Sequence, residues 1–413
     1  MKKLFLIAAL ACFALGSQAQ SSALDQVKIK LYGFIRNYAC YDNRESYTSN
    51  SEQFYYMPKD WDKDKYGDDL NEKSNMMLLS ITTRLGLNIT GPEFLGAKTS
   101  AKIEADFAGF GTSNTVFRIR QAYAKMAWEK HDVLVGQAWH PMMGDMMPDV
   151  FTLETGAPFT PFSRSPQVRY DYRIKNYTLT ATALYQYQYT SPGPAGSVFD
   201  YARDAVVPEL YFQAMYKGEK FQAGAGIDVL TLKPRTMHTD ADGSKVKVDE
   251  SIVTFSPTIF ASYKDGNWGI KGRVTYAENA AHLSMISGYA VTNIKENGEQ
   301  EYSPLRSIAG WMDITYKHKV KKGFFTYCLF AGYTKNLGCS DEIVGEIYMR
   351  GQKNAGYIWR IAPSVLYTHN ALSLGLEYNP TTVGYGTADN KYKVEDMHRV
   401  TNHRICAMLR YNF

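Results

Sequence analysis

The chain has 413 residues, of which 45% are hydrophobic, 14% aromatic and 21% charged, with 31 Tyr against 20 Phe and 6 Trp. Lys and Arg total 46 and Asp and Glu 41, and the resulting net charge of +5 is too slight a bias to suggest a nucleic-acid partner. No apolar run reaches the ~20 residues that a membrane helix needs, so a helical membrane bundle is excluded, and composition excludes collagen, coiled coil and low-complexity disorder.

Residues 1–19 read as an export signal. Lys2 and Lys3 form a basic start, Leu4–Leu15 an apolar stretch, and Ser17-Gln18-Ala19 a small-x-small cleavage site. Cys12 follows Ala9-Leu10-Ala11, which puts the leucine one place too late for a lipobox, so lipidation is not expected. Residues 20–413 form the exported domain. Its cysteines are Cys40, Cys328, Cys339 and Cys406, with no CxxC and no clustered spacing. The expectation is four free, burial-type cysteines, with a Cys328–Cys339 bridge as the alternative.

From there the pattern has period two. Strand segments are expected near 27–39, 76–90, 97–108, 117–129, 132–139, 166–175, 177–189, 207–217, 220–232, 251–264, 267–279, 303–317, 324–335, 356–368, 371–385 and 399–413. The clearest runs through Tyr177, Leu179, Ala181, Ala183 and Tyr185, opposed by Thr178, Thr180 and Thr182. Successive side chains of a strand point to opposite faces, so each such segment has one apolar and one polar side. Every second connection is long (40–75, 109–116, 140–165, 190–206, 233–250, 280–302, 336–355, 386–398), while the alternate ones are mostly tight turns such as Asp265-Gly266. A soluble sandwich has no reason to collect its long loops at one end. An outer-membrane barrel does, with an even strand number, short periplasmic turns and long external loops. The predicted fold is therefore all-β: a transmembrane, antiparallel, up-and-down barrel of about sixteen strands. The terminal strand agrees, with Ile405, Ala407, Leu409, Tyr411 and Phe413 on one face. The tyrosine excess fits interfacial girdles, for which Tyr187, Tyr189, Tyr276, Tyr333, Tyr367, Tyr378 and Tyr385 are candidates.

Two features bear on function. The connection Trp139–Arg164 contains His140-Pro-Met-Met-Gly-Asp-Met-Met-Pro-Asp. Methionines in a loop want burial, and inside a large barrel the lumen offers it. The third external loop is thus expected to fold inward as a constriction, with His140, Met143, Asp145, Asp149 and Glu154 on it. An external loop packed on its neighbours or on a partner subunit is the alternative. The second feature is basic: with apolar faces outward, Arg84, Arg118, Arg120, Arg169, Arg173 and Arg404 face the lumen, as Arg and Lys rings do in anion-preferring pores. The other reading is that such arginines pair with Asp106, Asp171, Asp228 or Glu377 and hold the wall.

No nucleophile motif occurs, and the eight histidines show no paired metal spacing. Asp62-Lys-Asp64-Lys-Tyr66-Gly67 falls short of a calcium loop, because Tyr66 and Lys73 stand where oxygen ligands belong. No cofactor, metal or catalysis is expected.

Gly136-Gln137-Ala138-Trp139, closing the fifth segment, resembles the Gly-Gln-x-Trp step before the constriction loop of DcaP-like and related Gram-negative porins. Arg118-x-Arg120-x-Ala122-Tyr123 is similar to that family's pattern on the preceding strand. The resemblance covers 117–170 and implies a sixteen-stranded homotrimeric porin with a basic wall at the eyelet. Two departures stand: strand one begins within ten residues of the cleavage site, with no coiled-coil segment before it, and the loop is Met-rich.

The sequence reading is a passive outer-membrane channel for small hydrophilic, preferentially anionic solutes, bounded by outer-membrane lipid. Loop carboxylates facing wall arginines would set a transverse field across the eyelet. The rival readings are a gated, substrate-specific transporter, a surface binding or adhesion barrel acting through 40–75 and 280–302, and a barrel enzyme.

Overall fold

The computed structural model describes residues 26–48, 55–109, 116–144, 146–151 and 156–413. The expected signal over 1–19 with Cys12, and Asp145 and Glu154 of the third loop, lie outside the described residues.

Sixteen strands form one closed antiparallel sheet: β1 Lys28–Asp42, β2 Asn75–Leu79 continued by Arg84–Thr90, β3 Lys98–Asp106, β4 Arg118–Ala127, β5 His131–Trp139, β6 Arg164–Ile174, β7 Tyr177–Leu184, β8 Glu209–Lys217, β9 Phe221–Leu232, β10 Ile252–Asp265, β11 Trp268–Glu278, β12 Gln300–Lys319, β13 Phe324–Gly338, β14 Ala355–His369, β15 Leu372–Ala388 and β16 Val394–Asn412. Each strand pairs with the next in sequence. β1 also pairs with β16, from Phe34 opposite Asn412 to Asp42 opposite Arg404, and that last ladder turns the sheet into a barrel.

Alternation decides which way each side chain points. Ile103, Ile119, Val135, Val168, Ile259, Val274, Met312, Leu329, Ile361, Leu374, Leu376 and Leu409 are exposed on the outer surface, while Arg120, Asp171, Arg273, Asp313, Arg360 and Glu377, on strands among these, are buried inside. This is the reverse of a soluble core, and it suits a wall whose outside is hydrocarbon. Replacing Leu376 by Arg on the band of β15 is expected to cost about 2–4 kcal/mol of barrel stability, read as a lower urea midpoint for refolding into lipid vesicles. An unchanged midpoint would remove this face from the membrane.

The girdle holds in part. Tyr187, Tyr333 and Tyr378 are exposed outside, but Tyr189 and Tyr385 turn inward and are buried. β7 stops at Leu184, so strict alternation no longer governs Tyr189. At Tyr385 the β15–β16 ladder shifts register, and the hydroxyl donates to the Pro58 carbonyl at 2.5 Å.

The cysteine expectation is corrected. Cys40 and Cys406 stand directly opposite one another on β1 and β16, with Cα atoms 4.2 Å apart, and are joined by a disulfide. Cys328 and Cys339 are free and buried. Their neighbourhood in the sequence did not translate into a bridge.

Candidate functional site

The third loop leaves the wall at the fifth strand's end. Gly136 there has φ 128°, and a Cβ would stand 2.3 Å from the Ala122 carbonyl. Only glycine tolerates both conditions. Gln137 donates to the Ile119 carbonyl at 2.9 Å, and the Trp139 ring stacks 4.7 Å from the Arg164 guanidinium and 5.4 Å from that of Arg120. The Gly-Gln-x-Trp step therefore fixes the angle at which the chain departs.

Beyond it, a short helix Pro141–Gly144 leads into a segment packed on inward-facing side chains far round the barrel. The Asp149 N–H donates to Asp313 of β12 at 2.6 Å, and its carboxylate meets Lys271 of β11 at 2.9 Å. The Phe151 carbonyl accepts from Tyr38 of β1 at 2.6 Å, while its N–H donates to Glu377 of β15 at 3.1 Å. The loop's aromatic rings rest where the wall has no side chain: a Cβ on Gly375 would meet Phe151 at 2.4 Å, and one on Gly332 would meet Phe159 at 2.5 Å.

Met143, Met146, Phe159 and Phe162 join Tyr56 and Met57 of the first loop and Trp311, Phe330, Ile358 and Val383 of the wall in one buried apolar cluster. Arg360 binds both loops to β14. It is fully buried and donates to the Ala157 carbonyl at 2.8 Å, to the Tyr56 carbonyl at 2.9 Å and to Thr381 at 2.8 Å. Buried guanidinium groups persist only where their donors are satisfied.

Of the six arginines singled out by sequence, three come together. Arg118 makes a two-pronged pair with Asp106 at 2.7 and 3.1 Å, Arg120 bridges Glu104 at 3.0 Å and Asp106 at 2.7 Å, and Arg84 lies 3.6 Å from Glu104. Lys102 at 4.0 Å and the Tyr32 hydroxyl at 2.9 Å complete the group around Glu104. The Phe34 ring, with Arg84 at 5.0 Å and Arg36 at 4.8 Å, connects this patch to Phe151, whose carbonyl also accepts from Arg36 at 3.4 Å.

The other three stand apart. Arg169 pairs with Asp171 on its own strand at 2.9 Å, Arg173 with Asp132 at 2.5 Å near the short turns, and Arg404 with Asp42 at 3.0 Å beneath the Tyr55 ring. Asp149 meets Lys271 rather than any of the six. His140 faces Glu209 at 2.8 Å, and burial lowers its pKa below the ordinary histidine value although Glu209 pulls the other way. Sequence reasoning named Asp228 only as a candidate partner for wall arginines, and assigned no role to Arg360, Glu209 or His282.

The model of the DcaP outer membrane protein family matches residues 14–185, the segment that holds the Gly-Gln-x-Trp step and the arginine patch. Over those residues the chain is similar to that family. A search of the curated proteins found none that matches it in sequence. Among solved structures, the outer membrane channel DcaP of Acinetobacter baumannii superposes on this chain with a TM-score of 0.66 at 18% identity, over 94% of this chain and 98% of that one. An anion-selective porin from Comamonas acidovorans gives 0.57 at 12% identity, over 94% and 100%. The trimer form of OmpT from Vibrio cholerae gives 0.54 at 12%, over 94% and 99%. At such identities these likenesses bear on the fold of this chain alone.

Proposed function

We propose that the protein is a porin, a passive diffusion channel for small hydrophilic solutes with a preference for anions. Water and solute would pass between the inserted third loop and the wall patch of β2–β4. The observation that carries the reading is the charge of that patch, where Arg84, Lys102, Arg118 and Arg120 gather around Glu104 and Asp106. Four cations against two carboxylates leave fixed positive charge beside the loop, and fixed charge raises the local concentration of its counter-ion. Asp149, half exposed and paired with Lys271, would mark the loop's side of the path. His140 and Met143 would hold the loop rather than meet solute. The Comamonas porin's anion selectivity supports the charge reading, and the OmpT trimer supports a homotrimer. No catalytic role is proposed.

A second reading has its own support. Arg118, Arg120, Arg169, Arg173 and Arg404 each sit in an ion pair, as residues that brace a wall would. Reversal potentials in a KCl gradient separate the two. The expected sign is anion-selective, weakening with salt as the screening length falls from about 30 Å at 0.01 M to about 3 Å at 1 M. Arg84→Gln with Lys102→Gln should move it towards neutrality. A cation-selective wild type overturns the charge reading, and liposomes that fail to swell in small sugars overturn the channel itself.

A further inference from the structure

At the root of the third loop four side chains from four places in the chain converge. His140 is the first residue after β5, Glu209 opens β8, Asp228 lies on β9, and His282 belongs to the short turn Ala281–Leu283 in the loop between β11 and β12. All four are buried, none more than 3% exposed. One ligand atom each from His140, Glu209 and Asp228 falls within 4.8 Å of the others. His140 Nε2 stands 2.8 Å from Glu209 Oε1 and 3.6 Å from Asp228 Oδ1, and His282 Nε2 is 2.9 Å from the same Glu209 oxygen.

The group is not satisfied by hydrogen bonds alone. Asp228 Oδ1 and Glu209 Oε2 are both buried without a hydrogen-bond partner, and so is His282 Nδ1. A buried carboxylate oxygen needs a donor or a cation, and the Asp228 oxygen points at the imidazole of His140. Two imidazoles and two carboxylates are the donor set of borderline transition metals, whereas calcium takes six to eight oxygens. Zinc bonds of about 2.0–2.1 Å in a tetrahedron set neighbouring ligand atoms roughly 3.3 Å apart, a spacing that the 2.8 and 3.6 Å separations of His140 Nε2 from Glu209 and Asp228 bracket, while His282 reaches the group through Glu209 and would have to close in on the metal.

We propose that His140, His282, Glu209 and Asp228 bind a divalent transition metal of the zinc class, which clamps the root of the third loop to β8, β9 and the loop carrying His282. The clamp is coupled to the loop by the proton on His140. Its Nδ1 accepts from the Met142 N–H at 3.2 Å, so Nε2 carries the proton that is donated to Glu209. A metal needs the Nε2 lone pair. Its arrival displaces that proton, and the ring protonates at Nδ1 instead, ending the contact with Met142. The first turn of the loop, Pro141–Gly144, shifts accordingly. No sequence spacing announces the site, because its residues meet only once the barrel has closed.

The test uses the full chain, refolded in detergent without metal and titrated with Co²⁺ alone as a spectroscopic probe. One equivalent should produce the visible bands of a four-coordinate N/O site, and Zn²⁺ should displace it. Asp228→Asn, which keeps the side chain's shape, and His282→Gln should each weaken Co²⁺ binding at least ten-fold while the unheated protein keeps its folded gel mobility. His238→Gln, at a partly exposed histidine beside Asp240 in an external hairpin, should change nothing. Folded wild type that takes up no equivalent overturns the proposal. So does binding that survives both cluster substitutions, or that is lost with His238. Should His282→Gln not fold, Asp228→Asn alone decides.

Discussion

Excision of residues 142–154 is expected to raise single-channel conductance by about two-fold or more, since a wall of sixteen strands by itself encloses an aqueous channel. The segment removed carries the Asp149 contacts to Lys271 and Asp313 and the Phe151 contacts to Tyr38 and Glu377, which hold it against strands on several sides of the barrel. The wall is left intact, with Arg360 still bound to the Ala157 carbonyl. A companion variant leaves the loop's sequence untouched. Gly332→Val puts a side chain where the Phe159 ring rests, since even a Cβ would meet that ring at 2.5 Å, so the loop must shift. Its conductance should depart from wild type in the same recordings. A correctly folded deletion with unchanged conductance would take the loop out of the current path and leave the anion preference to the wall alone.

The second large effect concerns the seam. Cys40 and Cys406 are 366 residues apart in sequence and directly opposed across the ladder that closes the barrel. A bridge spanning so long a segment restricts the unfolded chain more than a short one would, and disulfides typically contribute about 2–4 kcal/mol. The double variant Cys40→Ser, Cys406→Ser should therefore unfold at lower urea than the oxidised wild type, read as loss of the fast-migrating band on unheated gels. Reductant should bring the wild type down to the variant's midpoint and leave the variant where it is. Equal midpoints under oxidising conditions would mean that the backbone ladder alone sets the strength of closure.

The fold was legible because alternation is a local signal. From Tyr177 to Leu184 each residue's face is set by its own parity, and the long and short connections then order the strands without any knowledge of contacts. The burial of the loop's methionines was legible, though not their partners. What escaped were pairings that exist only after closure. Cys40 and Cys406 both lie on inward faces of the first and last strands, so a sixteen-stranded reading carried the signal for their bridge. Their distance in sequence hid it. Glu209 and His282 were invisible for a stronger reason: one opens a strand and the other sits in a loop whose path no periodicity dictates. Arg118 and Arg120 were found by motif and parity, but their sharing of Asp106 depends on a register shift between Glu104 and Ala105 that sequence does not announce.

Arg360 makes two separate loops answer to one buried side chain. Its guanidinium donates to the Tyr56 carbonyl of the first loop and to the Ala157 carbonyl of the third, so neither backbone can drift without leaving an N–H in the dark with no acceptor. An insertion or deletion close to Tyr55–Pro58 would then be felt at the other loop, although the two are about a hundred residues apart. Variation in the first loop is tolerable only in its outer part, around Trp61–Leu70, where the chain is largely exposed. The barrel's outermost face can change its appearance freely, provided its inner anchor keeps the same address.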